Sequence, residues 1–277
     1  MLGTAFPAAR LLLVEQPGPW GRAGLRESKF DPATALALER HANSAGVRVQ
    51  AIRRPGRSPK AVLRSWAFAD CRDGHESLRW GQFDADAELL ELPLDGTVGT
   101  LDHEPLYLVC AHSKHDTCCA LRGRPLAEAM HQARAGRVWE CSHLGGDRFA
   151  ANVLVLPAGL LYGRVLPFAV QEFVAAAEAD EVVGGLLRGR VGLPPVAQAA
   201  LAFAYEHLAL RKRTALHVVS VSLSEGGLAS VRLDGPHGLV DVTVRIEKVA
   251  ADGLTCANPR PNQYLAYRPV GVVPVEA

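Results

Sequence analysis

The sequence has no C-x-x-C pair, no strong excess of charge of one sign and no long apolar run. Its 30 basic and 29 acidic side chains nearly cancel, which argues against nucleic acid or an anionic membrane as a partner. A bilayer-spanning helix needs about 20 apolar residues, and the longest apolar stretch, residues 149–163, is broken by Pro157, Gly159 and Gly163. No basic region precedes the apolar residues near the N-terminus, so we expect no signal peptide and a cytoplasmic location.

Cysteine is present but unevenly distributed. The six cysteines are Cys71, Cys110, Cys118, Cys119, Cys141 and Cys256. A chain of 277 residues can form a hydrophobic core without disulfide staples, and four of the six cysteines fall between residues 110 and 141. In a reducing cytoplasm this clustering favours metal binding or thiol chemistry. We interpret Cys71 and Cys256 as ordinary core cysteines.

Hydrophobic periodicity predicts an α/β fold with three segments, 1–100, 101–190 and 191–277. The central segment has the order β-α-β-(α)-β-β-α, which is thioredoxin-like, and α+β segments flank it. Its first strand, 106–111, places Cys110 at or near the C-terminal end, where open α/β sheets usually hold their sites. Its first helix is predicted to begin at Pro125. We find no internal sequence repeat.

The densest patch of reactive side chains is VCAHSKHDTCC at 109–119, and a second patch, CSHLGGD, follows at 141–147. Eight residues separate Cys110 from Cys119, which is too wide for a thioredoxin-type pair. The spacing also lacks the paired knuckles of most structural zinc sites, whereas a loop of this length can wrap around a cluster. Thiolates combined with imidazole are typical of iron–sulfur centres. Strand alternation would place Cys141 and His143 on one face, and the two glycines would bend Asp147 back toward them.

The two patches carry a family resemblance. VCAHSKHDTCCALRGRP together with VWECSHLGGDRFAANVLVLPAGLLYGRV resembles the sucrase/ferredoxin-like family, which includes fungal thioredoxin-like 2Fe-2S ferredoxins. VEQPGPWG near the N-terminus and LLRGRVGLPPVAQAAL downstream are similar to the bacterial branch of that family. The resemblance implies a thioredoxin-like ferredoxin core that holds a 2Fe-2S cluster.

The resemblance also implies part of the ligand set. The fungal relatives use two cysteines and the two histidines of an H-x-G-G-H motif, to which Cys110, Cys119 and His143 correspond. Asp147 occupies the place of the second histidine. A thiolate binds iron more readily than a carboxylate does, so we predict Cys141 as the fourth ligand. Asp147 and Cys118 are the alternates, and Asp147 can also be explained as the N-cap of the following turn.

Other polar residues are expected around the ligands. His112 and His115 lie between the two cysteines, where they could donate hydrogen bonds to cluster sulfurs or be solvated loop residues. Arg148 follows the second patch and is expected beside the ligands, as part of a basic rim or of the solvated surface. We interpret Trp139 and Tyr162 as core aromatics.

These patterns predict an electron carrier or redox sensor that works with an unidentified redox partner protein. Two alternatives remain open at this point. A thiol-dependent enzyme would use Cys118 or Cys119 as a nucleophile of lowered pKa, and a structural zinc site would serve an interaction module. We find no persuasive glycosidase carboxylate pair in the sequence, so we discount sucrose hydrolysis.

Overall fold

The computed structural model describes residues 1–56, 63–252, 254–255 and 262–275. Two sheets dominate it, one of ten strands and one of four. The large sheet contains β1 (Arg10–Glu15), β2 (Val47–Arg53), β3 (Arg64–Asp70), β4 (Ser77–Phe83), β5 (Thr100–Asp102), β6 (Leu106–Cys110), β7 (Val138–Cys141), β8 (Val153–Leu156), β9 (Leu160–Tyr162) and β10 (Leu187–Arg190). The small sheet contains β11 (His217–Ser224), β12 (Leu228–Gly235), β13 (Gly238–Ala251) and β14 (Asn262–Pro274). The α-helices are α1 (Pro32–Ser44), α2 (Thr117–Ala133), α3 (Val170–Glu178) and α4 (Pro195–His207). The predicted α/β class is confirmed.

The ten-stranded sheet consists of two halves with the same topology. In the first half β1 and β2 are parallel across α1, and the strand order is β2-β1-β3-β4-β5. In the second half β6 and β7 are parallel across α2, and the order is β7-β6-β8-β9-β10. In each half the remaining strands join antiparallel. The second half therefore has the predicted thioredoxin-like order. The first half repeats this strand order without a repeat in the residues, because different sequences can form the same strand order.

The two halves meet where strands β2 and β7 end. These strands pair antiparallel through two register partners, Ile52 with Cys141 and Arg53 with Glu140. Ile52 is also the register partner of Glu15, and Cys141 that of Cys110. The C-terminal ends of β1, β2, β7 and β6 consequently form one row across the middle of the sheet. This row is the seam between the halves, and segments that follow strands of one half lie against the other half.

Helix α2 begins earlier than the sequence predicted. It starts at Thr117, where the Asp116 carboxylate accepts a hydrogen bond from the Cys118 N–H at 2.8 Å. This N-cap outweighs the proline signal, and Pro125 lies inside the helix. Both Cys118 and Cys119 are therefore in the first helical turn rather than in a loop.

The third predicted segment forms α4 and the four-stranded sheet. Helix α4 is buried along most of its length and contacts β10 as well as β12, β13 and β14. Strand β12 alternates, with Ala229, Val231 and Leu233 buried in the same core cluster as α4. The sheet thus covers the outer side of α4. Within the described residues, no helix combines the length and apolar character needed to cross a membrane.

Candidate metal centre

Three of the four predicted ligands converge at the seam. Cys110 is the last residue of β6, Cys119 lies in the first turn of α2, and His143 follows the end of β7. The two thiol sulfurs and a ring nitrogen of His143 all lie within 4.8 Å of one another. Both cysteines have no exposed surface, whereas 19% of the His143 side chain is exposed. The group is therefore closed on its sulfur side and reaches solvent through the imidazole.

Close contact between α2 and β6 brings the two cysteines together. Gly123 faces the end of β6, and a Cβ atom added there would overlap the Cys110 carbonyl oxygen. Only glycine allows the helix to lie this close to the strand. The Asp116 N-cap fixes the start of the same helix, so the Cys119 sulfur passes over the strand end. Asp116 lies between the two cysteines in the sequence, and Gly123 follows shortly after Cys119.

Asp147 adds a carboxylate to this group. Its Oδ1 lies 3.7 Å from the Cys119 sulfur and 3.2 Å from Nε2 of His143. The side chain is buried, and burial raises the pKa of its carboxyl group. The N-cap interpretation of Asp147 is wrong, because Gly146 holds the N-cap position of the short turn and Asp147 is its first residue.

Cys141 lies close to the group without joining it. It is a register partner of Cys110 and fully buried, yet its sulfur is not among the ligand atoms that lie within 4.8 Å of one another. Burial raises the pKa of its thiol well above the ordinary value. Strand β7 ends at Cys141, so alternation does not continue to His143, and the expected shared face is not formed.

The remaining cysteines have different surroundings. Cys118 is half-exposed on the first turn of α2, and its sulfur is disulfide-bonded. Cys71 is buried in the apolar cluster, as predicted. Cys256 lies outside the described residues.

The pKa values of the two clustered thiols shift in opposite directions. A hydrogen bond from Cys119 lowers the pKa of Cys110 well below the ordinary value, against the effect of burial, and His143 lowers it further. The same hydrogen bond raises the pKa of Cys119, as burial also does. A raised pKa at Cys119 is the opposite of what a nucleophilic thiol needs.

The loop that follows β1 in the first half orients His112, one of the two histidines next to His143. The His112 Nδ1 accepts a hydrogen bond from the His143 N–H at 3.2 Å, so its Nε2–H donates to the Gly21 carbonyl at 2.6 Å. Burial lowers the pKa of His112 and keeps the ring neutral. The His115 ring stacks on His143, with centroids 3.8 Å apart. Both histidines lie beside His143 as expected, but both nitrogens of His112 are occupied, and it has no N–H left for a sulfur.

Arg148 does not face the ligands. Its guanidinium lies 4.6 Å from the centre of the Phe149 ring and 4.2 Å from that of Tyr264 on β14. The predicted role of Arg148 beside the ligands is therefore wrong. Stacking on aromatic rings satisfies this guanidinium, and the side chain points toward the small sheet.

Sequence reasoning missed the side chains that hold the second ligand segment. From β2, Gln50 donates to the Ser142 carbonyl at 2.6 Å and Arg48 donates to the His143 carbonyl at 2.8 Å. From the second half, the Asn152 amide donates to Gly146 and the Arg188 guanidinium donates to Gly145, at 3.2 and 2.9 Å. These donors fix the backbone that carries His143 and Asp147. Arg48 and Gln50 are far from the ligands in sequence, and Asn152 and Arg188 lie in the stretches that carry the family resemblance, where nothing in the pattern assigns them this role.

Comparison with known proteins gives one match. The family described as sucrase/ferredoxin-like matches residues 1–189, which include both halves of the large sheet up to β10. Searches of curated proteins and of solved structures found no match. The match contains every residue of the candidate metal centre and ends before α4 and the small sheet.

Proposed function

Because the chain belongs to the sucrase/ferredoxin-like family, we propose that it binds a 2Fe-2S cluster at the seam and acts as an electron carrier or redox sensor. The observation that carries the proposal is the convergence of Cys110, Cys119 and His143. Thiolate and imidazole donors of this kind hold iron–sulfur clusters, and the bound cluster would supply one-electron oxidation and reduction. The residues present fit this group, since the two sulfur donors are buried and lie within 4.8 Å of a ring nitrogen of His143.

We propose Asp147 as the fourth ligand in place of Cys141. The Asp147 carboxylate contacts both Cys119 and His143, whereas the Cys141 sulfur stands outside the compact group. The carboxylate also has little exposure, so a metal would replace solvent as the partner of its charge. Cys141 fills the apolar core next to Cys110 in this assignment.

Electrons would pass through the imidazole side of the centre. His143 and the stacked His115 are the partly exposed members of the group, while both thiols are covered. An unidentified redox partner protein would therefore dock over this histidine pair. The exposed Lys114 next to the pair would favour an acidic surface on that partner.

Metal and sulfide content test the proposal. Protein purified without oxygen should be red-brown and should contain about two irons and about two acid-labile sulfides per chain. Cys110→Ala should lose both iron and sulfide. Colourless protein that contains neither iron nor sulfide after anaerobic purification and reconstitution would overturn the proposal.

The compactness of the group favours a second candidate, a structural zinc site. Four ligands around one tetrahedral ion lie close together, and two cysteines, one histidine and one aspartate form an acceptable zinc set. The same purified protein distinguishes the two candidates. One zinc per chain without sulfide selects the zinc site, and iron with sulfide in equal amounts selects the cluster.

A further inference from the structure

Arg188 is a fully buried cation with neutral partners. Its guanidinium, on β10, is 1% exposed and donates four hydrogen bonds. The acceptors are the Thr4 carbonyl at 2.6 Å, the Thr4 hydroxyl at 3.0 Å, the Gly145 carbonyl at 2.9 Å and the Asn152 side-chain oxygen at 2.9 Å. None of these acceptors is charged. A buried charge without a charged partner is costly, so its retention calls for a negative group nearby.

Two glycines make room for this side chain. A Cβ atom on Gly146 would lie 2.5 Å from Nη2 of Arg188, and one on Gly163 would lie 3.0 Å from its Cδ. Gly146 belongs to the glycine pair of the second ligand segment and has φ 73°. The glycine pair therefore lets the guanidinium lie against the backbone between His143 and Asp147, in addition to allowing the turn.

The nearby negative groups are those of the metal centre. Burial lowers the pKa of Arg188 to about 10 and the Arg148 cation lowers it further, while Cys110, Asp147 and Cys119 act in the opposite direction. A 2Fe-2S cluster held by two thiolates and a carboxylate carries net negative charge, and reduction adds one more negative charge. A fixed cation beside such a cluster stabilises the reduced form more than the oxidised form.

We propose that Arg188 is the positioning residue that compensates the charge of the cluster, raising its reduction potential while holding the Gly145 backbone in place. This inference rests on the proposed function. The Arg188 charge acts across the protein interior, where charges interact more strongly than in water, and its hydrogen bond to Gly145 links it to the ligand segment.

Arg190 provides a matched control on the same strand. It is also buried, but its guanidinium binds the carboxylates of Asp73 at 2.7 Å and Glu76 at 2.6 Å. Its charge is balanced by its own ion pairs, so it should serve folding without affecting the cluster. Comparing variants of the two arginines therefore distinguishes the loss of charge compensation from the general loss of stability when β10 is changed.

The test compares the midpoint potentials of wild type, Arg188→Gln, Arg188→Lys and Arg190→Gln by redox titration followed in the visible spectrum. At a fixed ambient potential, Arg188→Gln should lower the ratio of reduced to oxidised cluster about tenfold, a shift of about 59 mV for one electron. Arg188→Lys keeps the charge and should recover most of this loss. Arg190→Gln should leave the potential unchanged.

Two results would overturn the inference. One is an unchanged potential in a fully loaded Arg188→Gln protein. The other is a loaded Arg188→Lys protein whose potential is as low as that of Arg188→Gln, because lysine retains the charge. A wild-type protein without iron and sulfide contradicts the proposed function itself and is thereby distinguished from both.

Discussion

The two halves of the large sheet share a topology but not a chemistry. The first strand of each half ends at an equivalent place in the sheet. Strand β6 of the second half ends at Cys110, and β1 of the first half ends at Glu15. The loop after β6 carries His112 and His115, whereas the loop after β1 carries Trp20 and Gly21, both of which contact His112. One half thus supplies the candidate ligands, and the other supplies residues that pack against His112 beside them. The shared strand order brings the loops after β1 and β6 to the same part of the sheet. The residues on these loops then determine which half carries the candidate metal centre.

The largest effect should come from removing a thiol on the ligand side. Cys119→Ala should abolish iron and sulfide binding, since it removes one of the two thiolates proposed to hold the same iron. The matched control is Cys71→Ala, which removes an equally buried thiol that follows β3 in the first half. Iron analysis of both variants after anaerobic reconstitution checks this contrast, and retention of a full cluster in Cys119→Ala would break it.

The next largest effect should show whether Asp147 or Cys141 is the fourth ligand. Asp147→Asn should alter the visible and EPR spectra and lower cluster occupancy severalfold, because an amide oxygen is a weaker iron ligand than a carboxylate. Cys141→Ala should leave the spectra unchanged and reduce stability only. The opposite pattern, with altered spectra in Cys141→Ala, would return the fourth position to Cys141.

The covering role of the first half is tested at Trp20. Its ring is 3% exposed, and its Nε1–H donates to the Gln16 carbonyl at 2.9 Å. Trp20→Ala should cost about 3–5 kcal/mol of unfolding free energy and speed loss of the cluster in air. Trp66→Ala, on β3 in the same core cluster, should cost a similar amount with normal cluster lifetime. Equal lifetimes in both variants would show that Trp20 does not protect the centre.

The smallest effect on the centre should follow a change in the four-stranded sheet. Val231 is fully buried beneath α4, outside the residues matched by the family. Val231→Ala should cost about 2 kcal/mol by cavity formation, measured by urea unfolding, while iron content stays at the wild-type level. Loss of iron from folded Val231→Ala would show that the small sheet supports the centre directly.

Sequence reasoning found the strand at 106–111, the α/β class and the residues Cys110, Cys119 and His143, because strong periodicity and close motif spacing are local signals. It missed β10, a four-residue strand without alternation, and the N-cap that starts α2 before Pro125. It also missed Arg48 and Arg188. Their role depends on which strands become neighbours, and that information is absent from any single stretch of the chain.

A Mössbauer spectrum of the iron-57 protein, reconstituted without oxygen, tests the central claim most directly. The ligand set of Cys110 and Cys119 on one side and His143 and Asp147 on the other predicts two inequivalent iron sites of equal population, with acid-labile sulfide in equal amount. Two equivalent sites would contradict this ligand set. Protein that takes up no iron would contradict the cluster itself.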